Sequence, residues 1–339
     1  MKKFILLMRR MRENPKNDSF LRFFKSDLGS ARTNTSCGIA GGIGASRTRE
    51  IARKISNFSV SSSLVIMFAT PAFAVCNYSD MCAPKAYDLS SRGCQVTSNI
   101  TGMTFLAEKI AQSIIKGELK KATKEKFKVE MKSYSANDLL HGRFKSLKLS
   151  GKNLEIDGAY LTSLEIKTLC GFNYVELDKN SIKFKENMAM EFDLEISDID
   201  LKKTIQSSGY LTRLNKINLS GMGITFFKLN GADVQVKNNK LYFTIKVTSP
   251  MSTKPILIVV RSDLKVEEGR IVMTKLDFVN LFTVIDLSKV TYLLNALNPL
   301  TFSTDILNNK NSKMSIQDVN IIGDRIFIKG NVFIPKNVN

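Results

Sequence analysis

The stretch Met188–Leu201, Met-Ala-Met-Glu-Phe-Asp-Leu-Glu-Ile-Ser-Asp-Ile-Asp-Leu, decides the fold of this chain. Apolar residues occupy every second position as far as Ile196, and acids lie between them. Because side chains alternate across a strand, this pattern predicts a β-strand with one apolar and one acidic face. Ser197 and the acids after it predict a helix start, since such residues cap free N–H groups and suit the helix dipole. A half-buried strand that runs into a capped helix is typical of a large sheet curled around an apolar interior.

Alternating apolar and polar residues recur on both sides of this stretch and predict further strands. The predicted strands lie at 144–150, 154–156, 164–166, 182–184, 234–236, 241–247, 256–260, 264–266, 271–276, 319–322 and 326–334. Asn238-Asn239, Glu268-Gly269 and Gly323-Asp324 are typical of short turns between antiparallel strands. Gly209 predicts the end of the helix that begins at Ser197. The pattern indicates a meander with lysine, threonine and aspartate on its outer face.

Two amphipathic helices are predicted beside these strands. Thr104–Lys124 carries one apolar stripe, with lysines in the last turns, where cations suit the helix dipole. This helix either lies on a sheet or binds a membrane surface, and its broad apolar face favours the sheet. A second helix is predicted from Asp286 to Leu297, ended by Asn298-Pro299. No linker-like composition divides residues 104–337, so we expect a single α+β domain after a leader.

Basic residues outnumber acidic ones by 19 in this chain of 339 residues. Residues 1–74 hold 13 basic and 4 acidic residues, and the later part of the chain keeps a basic surplus of its own. Such a surplus fits an anionic lipid surface or a nucleic acid. Nucleic acid is disfavoured, because basic residues alternate with acids along most predicted strands and tryptophan is absent.

The N-terminal part of the chain is typical of an exported protein. Residues 1–50 follow no period, so we expect a leader that is disordered or lies upstream of the true translation start. Residues 51–74 resemble a signal peptide, with Arg53-Lys54, a short apolar core and an Ala-x-Ala pattern ending at Ala74. We expect cleavage near Ala74 and a mature chain in the periplasm or cell envelope. The alternative is a bipartite leader that directs the chain to an organelle lumen.

Four of the five cysteines follow the predicted cleavage point, as expected for a chain that forms disulfides outside the cytosol. Cys76, Cys82 and Cys94 cluster in the N-terminal segment 75–103, and we expect one bridge within that cluster. Cys170 ends a predicted strand and is expected to be a buried core residue. A metal site is disfavoured, because the cluster lacks Cys-x-x-Cys spacing and a nearby histidine.

Residues suited to catalysis are sparse. His141 is the only histidine, which removes most nucleophile–histidine pairs and nearly all zinc sites. Glu155 with Asp157, and the acids of 191–195, form alternating carboxylates of the kind that glycoside hydrolases use in pairs. Acids opposite apolar residues are also what a solvated sheet face requires. We therefore expect a protein that is not an enzyme and that holds no cofactor or metal.

An amphipathic helix and four later segments occur in an order that resembles a known family. An amphipathic helix precedes Leu139-Leu-His-Gly-Arg-Phe-Lys-Ser-Leu-Lys-Leu-Ser150, then Gly158-Ala-Tyr-Leu-Thr-Ser-Leu-Glu-Ile166, the Ile196–Leu201 junction and a Pro255-Ile-Leu-Ile-Val strand. This order, over residues 104–335, resembles the LmeA-like phospholipid-binding family of bacterial envelope proteins. The resemblance implies a tubular lipid-binding-like fold, in which a long curved antiparallel sheet wraps around an amphipathic helix and shelters acyl chains.

A lipid held in this way would contact apolar side chains in a groove of the sheet. The candidates are Met188, Met190, Phe192, Leu194, Phe226, Phe227, Phe243, Ile245 and Met273. Methionine adapts to irregular apolar ligands, and burying one acyl methylene contributes about 0.8 kcal/mol. We expect non-enzymatic binding or transfer of phospholipid or acyl chains, with transient contact to an anionic membrane surface. The alternative is a secreted structural or scaffold β-domain that fills its own core and binds a protein partner.

Overall fold

A computed structural model describes residues 82, 89–178, 181–215, 228–248, 256–279, 294–305, 307 and 312–336. Several sequence predictions concern other residues. The leader 1–50, the signal peptide 51–74, Cys76, Phe226, Phe227 and most of the helix predicted from Asp286 lie outside the described residues.

The described residues form an α+β structure with antiparallel strands, as predicted. Its helices are α1 (Arg92–Ile100), α2 (Met103–Thr123), α3 (Ala136–Leu140), α4 (Asp198–Gln206), α5 (Ser208–Asn215) and α6 (Pro299–Asp305). The strands before the β7–α4 junction are β1 (Phe127–Lys132), β2 (Arg143–Phe144), β3 (Ser146–Ile156), β4 (Ala159–Thr168), β5 (Asn173–Asp178), β6 (Ser181–Phe184) and β7 (Met188–Ser197). Those after it are β8 (Lys228–Lys237), β9 (Lys240–Thr248), β10 (Ile256–Glu267), β11 (Arg270–Phe278), β12 (Lys313–Ile322) and β13 (Arg325–Ile334).

The strands are divided among three sheets. A six-stranded sheet has the order β1-β3-β4-β7-β13-β12, and a four-stranded sheet has the order β11-β10-β9-β8. A small sheet of β2, β5 and β6 completes the set. β7 lies inside the six-stranded sheet, between β4 and β13, with its apolar residues buried and its acids half-buried. The predicted amphipathic strand at the centre of the fold is therefore confirmed.

The junction between β7 and α4 is held by a closed set of hydrogen bonds. The Ser197 hydroxyl accepts from the backbone N–H of Asp200 at 3.2 Å and donates to its carboxylate at 2.8 Å. Thr162 of β4 donates its hydroxyl to the same carboxylate at 2.7 Å and accepts from the N–H of Ser197 at 2.9 Å. The predicted cap is confirmed, and it also fixes α4 to the neighbouring strand.

Asp198, the first residue of α4, connects the two larger sheets. Its Oδ1 accepts from the backbone N–H of Val236 in β8 at 2.7 Å. Its Oδ2 accepts from the Lys202 ammonium at 2.6 Å. Its own N–H donates to the carbonyl of Asp324 at 2.9 Å, in the turn between β12 and β13. One residue therefore joins α4, the four-stranded sheet and the far hairpin of the six-stranded sheet.

Buried apolar side chains form one continuous cluster that runs through both larger sheets and the helices beside them. Helix α2 packs against β1 and contributes Ile115 and Leu119 to this cluster. The predicted position of this helix beside a sheet is thus confirmed. On α5, the ring of Tyr210 meets Phe302 of α6 edge-on at 5.7 Å, and its hydroxyl donates to the carbonyl of Leu297.

The prediction that Gly209 ends the helix from Ser197 is wrong. α4 ends at Gln206, and Gly209 lies inside the next helix, α5. A Cβ atom at this position would lie 3.0 Å from the carbonyl oxygen of Asp157 and 3.2 Å from the ring of Phe302. Glycine is therefore needed here for close packing and not for a helix stop.

Other boundaries depend on contacts that the sequence pattern does not contain. The predicted second helix is described only over 294–296, and Pro299 then begins α6, in accord with the preference of proline for the first helical position. The strands predicted at 256–260 and 264–266 form one strand, β10, with an irregularity near Ser262. β1, β5, α1 and α3 were not predicted, although β1 alternates apolar and charged residues as a half-buried strand does.

The disulfide does not lie within the N-terminal cysteine cluster, and this expectation is corrected. Cys82 is bonded to Cys170, with the two Cα atoms 5.4 Å apart and the two residues 88 positions apart in sequence. Cys170 is buried, as expected, but as half of a disulfide. Cys94 lies on α1. A disulfide of this kind indicates an oxidising environment.

We expect that Cys82→Ser and Cys170→Ser each lower the free energy of unfolding by about 4 to 5 kcal/mol, because the bridge closes a long loop of the unfolded chain. Denaturant titration of the oxidised protein measures this loss, and reduction of the wild type gives a similar one. Cys94→Ser is the matched control. The pairing is wrong if Cys94→Ser has the large effect and Cys170→Ser has none.

We expect Ser197→Ala to cost about 1 to 2 kcal/mol of stability, since it removes the α4 cap and a hydrogen bond to Asp200. Ser91→Ala is a matched control, because Ser91 caps α1, a helix with no buried residue. Chemical denaturation compares the two variants. Equal losses would contradict a special role for the β7–α4 junction.

Candidate functional site

Seven of the nine candidate groove residues are described, and all seven lie in the common apolar core. Met188, Met190, Phe192 and Leu194 lie on β7, Phe243 and Ile245 on β9, and Met273 on β11. Each is exposed by 5% or less. The structure therefore brings together residues from both larger sheets that are up to 85 positions apart in sequence.

The β7 candidates face β13 in a regular register. Met190 lies opposite Val332, and Phe192 lies opposite Gly330. A Cβ atom at Gly330 would lie 2.6 Å from the Phe192 ring, so only glycine leaves room for this aromatic side chain. The inner face of the six-stranded sheet is consequently filled by protein side chains at this point.

The inner face of the four-stranded sheet is covered at one end and open at the other. Val260 of β10 lies opposite Phe243 of β9, and both are buried. Two residues along the strand, Ile258 lies opposite the buried Ile245 but is itself half-buried. Two residues further, Ile256 is exposed. Apolar side chains thus lead without interruption from the core to the surface.

The burial of apolar side chains also decreases along β11 toward this end of the sheet. Met273 is buried, whereas Leu276 and Phe278 are half-buried. At this end of the sheet Leu257 and Val279 are also exposed. The exposed fractions of Ile256, Leu257 and Val279 range from 36 to 57%. We name these residues the apolar edge: Ile256, Leu257, Ile258, Phe278 and Val279. Because polar residues normally cover the outer side of a strand end, this edge is an unusual surface for a stable sheet.

The outer face of the six-stranded sheet carries a ladder of ion pairs. They are Lys148–Glu165 at 2.6 Å, Lys167–Glu191 at 2.7 Å, Lys329–Asp193 at 3.7 Å and Arg325–Glu195. The Glu191 carboxylate raises the pKa of Lys167, by hydrogen bonding first and by its charge second. A shallow groove of about 620 Å³ runs across this face. Opposite charges on neighbouring strands stabilise a sheet, which accounts for the acids of β7.

The other residues considered for catalysis are dispersed. Glu155 lies on β3, but Asp157 lies in the following turn with a φ of 52°, so the expected common strand face is not formed. His141 is exposed at the C-terminal end of α3, where its Nδ1 lies 2.8 Å from the carbonyl oxygen of Asn137. The structure does not bring these residues together into one site.

The apolar edge was not predicted, although the sequence contains a signal for it. Ile256-Leu-Ile-Val-Val260 has no polar residue at alternate positions, so both faces of this strand segment are apolar. Such runs are usual for strands buried on both faces. Only the structure shows that this segment lies at a partly exposed sheet end.

The part of the chain that the structure describes contains neither a metal site nor a membrane-spanning helix. Among the described residues, no group of His, Cys, Asp and Glu is arranged to hold a metal ion. No described helix is both long enough and apolar enough to span a membrane.

Comparison with known proteins found no match: the chain matches no protein family model, no curated protein and no solved structure.

We expect Phe243→Ala to lower the free energy of unfolding by about 3 to 5 kcal/mol, as is usual for a buried aromatic residue. Ile256→Ala at the apolar edge is expected to change it by about 0.5 kcal/mol or less, because exposed residues contribute little. Denaturant unfolding of both variants measures the difference. Similar losses would show that the edge is covered as firmly as the core.

Proposed function

We propose that the protein binds a phospholipid or another acyl lipid without catalysing a reaction, and carries or senses it at a membrane. The observation that supports this proposal is the continuous apolar inner face of the four-stranded sheet. This face is buried at Phe243 and Met273 and reaches the surface at Ile256 and Phe278. A folded protein gains no stability from exposed apolar side chains, so a ligand that covers them is a reason for their presence.

The acyl chain enters at the apolar edge and lies along the inner face. It passes Ile258 and Leu276 and ends against Phe243, Ile245 and Met273. Because these last side chains are buried by protein atoms, uptake requires neighbouring side chains to move aside. The methionines of β7 and β11 can make this movement, since an unbranched thioether side chain changes rotamer readily. Each methylene that leaves water contributes about 0.8 kcal/mol, so half an acyl chain gives useful affinity.

The proposed fold type is the tubular lipid-binding one that the LmeA-like resemblance implies. Two features support it: the mainly antiparallel strands and the amphipathic helix α2 packed beside the six-stranded sheet. In this proposal the curved sheet around the helix shelters the acyl chain, and the headgroup stays in water.

The proposed compartment is the periplasm or cell envelope, after removal of a signal peptide that ends near Ala74. The Cys82–Cys170 disulfide supports export, because such bonds persist in oxidising environments. A bipartite leader to an organelle lumen is the alternative route to a compartment of the same redox state.

Native mass spectrometry of the purified protein, together with uptake of a fluorescent phospholipid, tests the proposed function. We expect a bound phospholipid in the wild type. The double variant Ile256→Asp/Ile258→Asp is expected to bind about tenfold more weakly or worse, because a carboxylate at the edge resists desolvation. Ile199→Asp is the control, since Ile199 is an exposed apolar residue on α4.

A scaffold β-domain with a protein partner is the second candidate function. The nearly complete burial of the seven described groove candidates favours it, because a packed core needs no ligand. The same experiment separates the two functions. Absence of co-purified and exchangeable lipid, or equal uptake by the wild type and the double variant, would overturn the lipid proposal.

A further inference from the structure

A second exposed apolar surface lies where α1 meets α2. Two residues on each side of the turn at Thr101–Gly102 form it, and we name the four the α1–α2 corner: Val96, Ile100, Phe105 and Leu106. Their exposure ranges from 54 to 80%. Val96 and Ile100 are four residues apart and therefore share one face of α1. The other apolar residues exposed by more than half in the described part of the chain are Ile199, Val279 and Ile322, and they are far apart in sequence.

The acidic and basic residues of α2 lie on different faces of the helix. Its only acids, Glu108 and Glu118, are both buried. Glu108 accepts from the backbone N–H of Ser133 at 2.7 Å, and Glu118 is paired with Lys121. The exposed face that carries Phe105 and Leu106 continues with Lys109, Lys116 and Lys120. The outward face is thus apolar at the corner, and lysines are its only charged residues beyond it.

The corner is held in place by hydrogen bonds to the rest of the domain. The Asp138 carboxylate, which is fully buried, accepts from the backbone N–H and the hydroxyl of Ser90 at 2.8 and 2.6 Å, just before α1. Ser98 of α1 lies 2.9 Å from the Thr104 hydroxyl and accepts from the N–H of Ala136 at 3.1 Å. The apolar side chains are therefore presented in a fixed orientation, which reduces the entropy lost on binding.

We propose that the α1–α2 corner docks the protein onto an anionic phospholipid surface. The four apolar side chains enter the headgroup region, and the lysines on the same face of α2 lie against the anionic headgroups. Apolar side chains combined with a basic face are the composition of helices that lie in a membrane interface. Absence of exposed acid on α2 removes the repulsion that would oppose this contact. The proposal rests on the proposed lipid-binding function and gives it the membrane contact that lipid exchange needs.

The chain has no tryptophan, so one introduced indole reports on one position. In the full-length chain, Phe105→Trp places the indole at the corner, and Ile322→Trp places it on an exposed apolar position of β12. Vesicles of equal parts phosphatidylcholine and phosphatidylglycerol are added, and emission wavelength and quenching by brominated lipid are measured. We expect a blue shift and quenching for Phe105→Trp and neither for Ile322→Trp. Because the signal is local, membrane binding by another part of the chain does not imitate it.

Charge reversal tests the role of the lysines. Adding Lys109→Glu and Lys116→Glu to Phe105→Trp is expected to raise the lipid concentration for half-maximal shift by about tenfold or more. Lys313→Glu, at an exposed lysine of β12, is the control. We expect added salt to weaken binding of the parent, since surface charges are screened. Circular dichroism verifies that each variant is folded.

The proposal is overturned if the Phe105→Trp indole shows no shift with anionic vesicles, or if charge reversal leaves its binding unchanged. It is also overturned if the indole is blue-shifted before vesicles are added, because the corner is then covered by protein. Uptake of a fluorescent phospholipid from detergent solution is measured for the same variants. Uptake without docking refutes only this inference, whereas docking without uptake refutes the lipid-binding function and leaves a peripheral membrane protein.

Discussion

The carboxylates of Asp198 and Asp200 join the start of α4 to both larger sheets. Asp200 fixes the start of α4 to Thr162 on β4, and Asp198 binds the backbone of Val236 on β8. The two sheets also meet directly elsewhere, because the backbone N–H of Ile316 in β12 donates to the carbonyl of Gly269, in the turn between β10 and β11, at 2.9 Å. Two short acids at a helix start, where the helix dipole favours negative charge, add a second link and fix α4 between the sheets. The buried side chains that α4 contributes to the common core, Leu201 and Ile205, are positioned by these bonds.

Local pattern was sufficient for most strands that bury one face, although β1, which alternates in the same way, was missed. The alternation in 188–196 predicted β7 correctly, and Ser197 predicted its cap, because both depend on neighbours in sequence. Pairing across long separations was not predictable in this way. The bond between Cys82 and Cys170, the close approach of Gly209 to Phe302 and the union of β10 into one strand all depend on tertiary contacts. Of the candidate site, sequence indicated the buried residues of β7, β9 and β11 but missed the apolar edge.

The apolar edge and the α1–α2 corner share a physical property. In both, apolar residues are exposed although polar residues at the same positions would serve the fold equally well. At the edge, the exposed residues continue a buried face, which suits a ligand that enters the protein. At the corner, they continue a basic face, which suits a flat charged surface outside it. A lipid-exchange protein needs both kinds of surface, whereas a scaffold with a filled core needs exposed apolar residues only where its protein partner binds.

The Cys82–Cys170 bond also constrains the order of events when the chain first becomes oxidised. A chain that emerges N-terminus first exposes Cys94 long before Cys170. Closing a loop of 12 residues instead of 88 costs about 1.8 kcal/mol less in chain entropy. The nearer thiol is therefore the faster partner, and the native partner has to prevail through structure. Helix α1 does not bury Cys94, which is half-buried. Correct pairing therefore depends on folding of the chain as far as Cys170 and not on nearness in sequence.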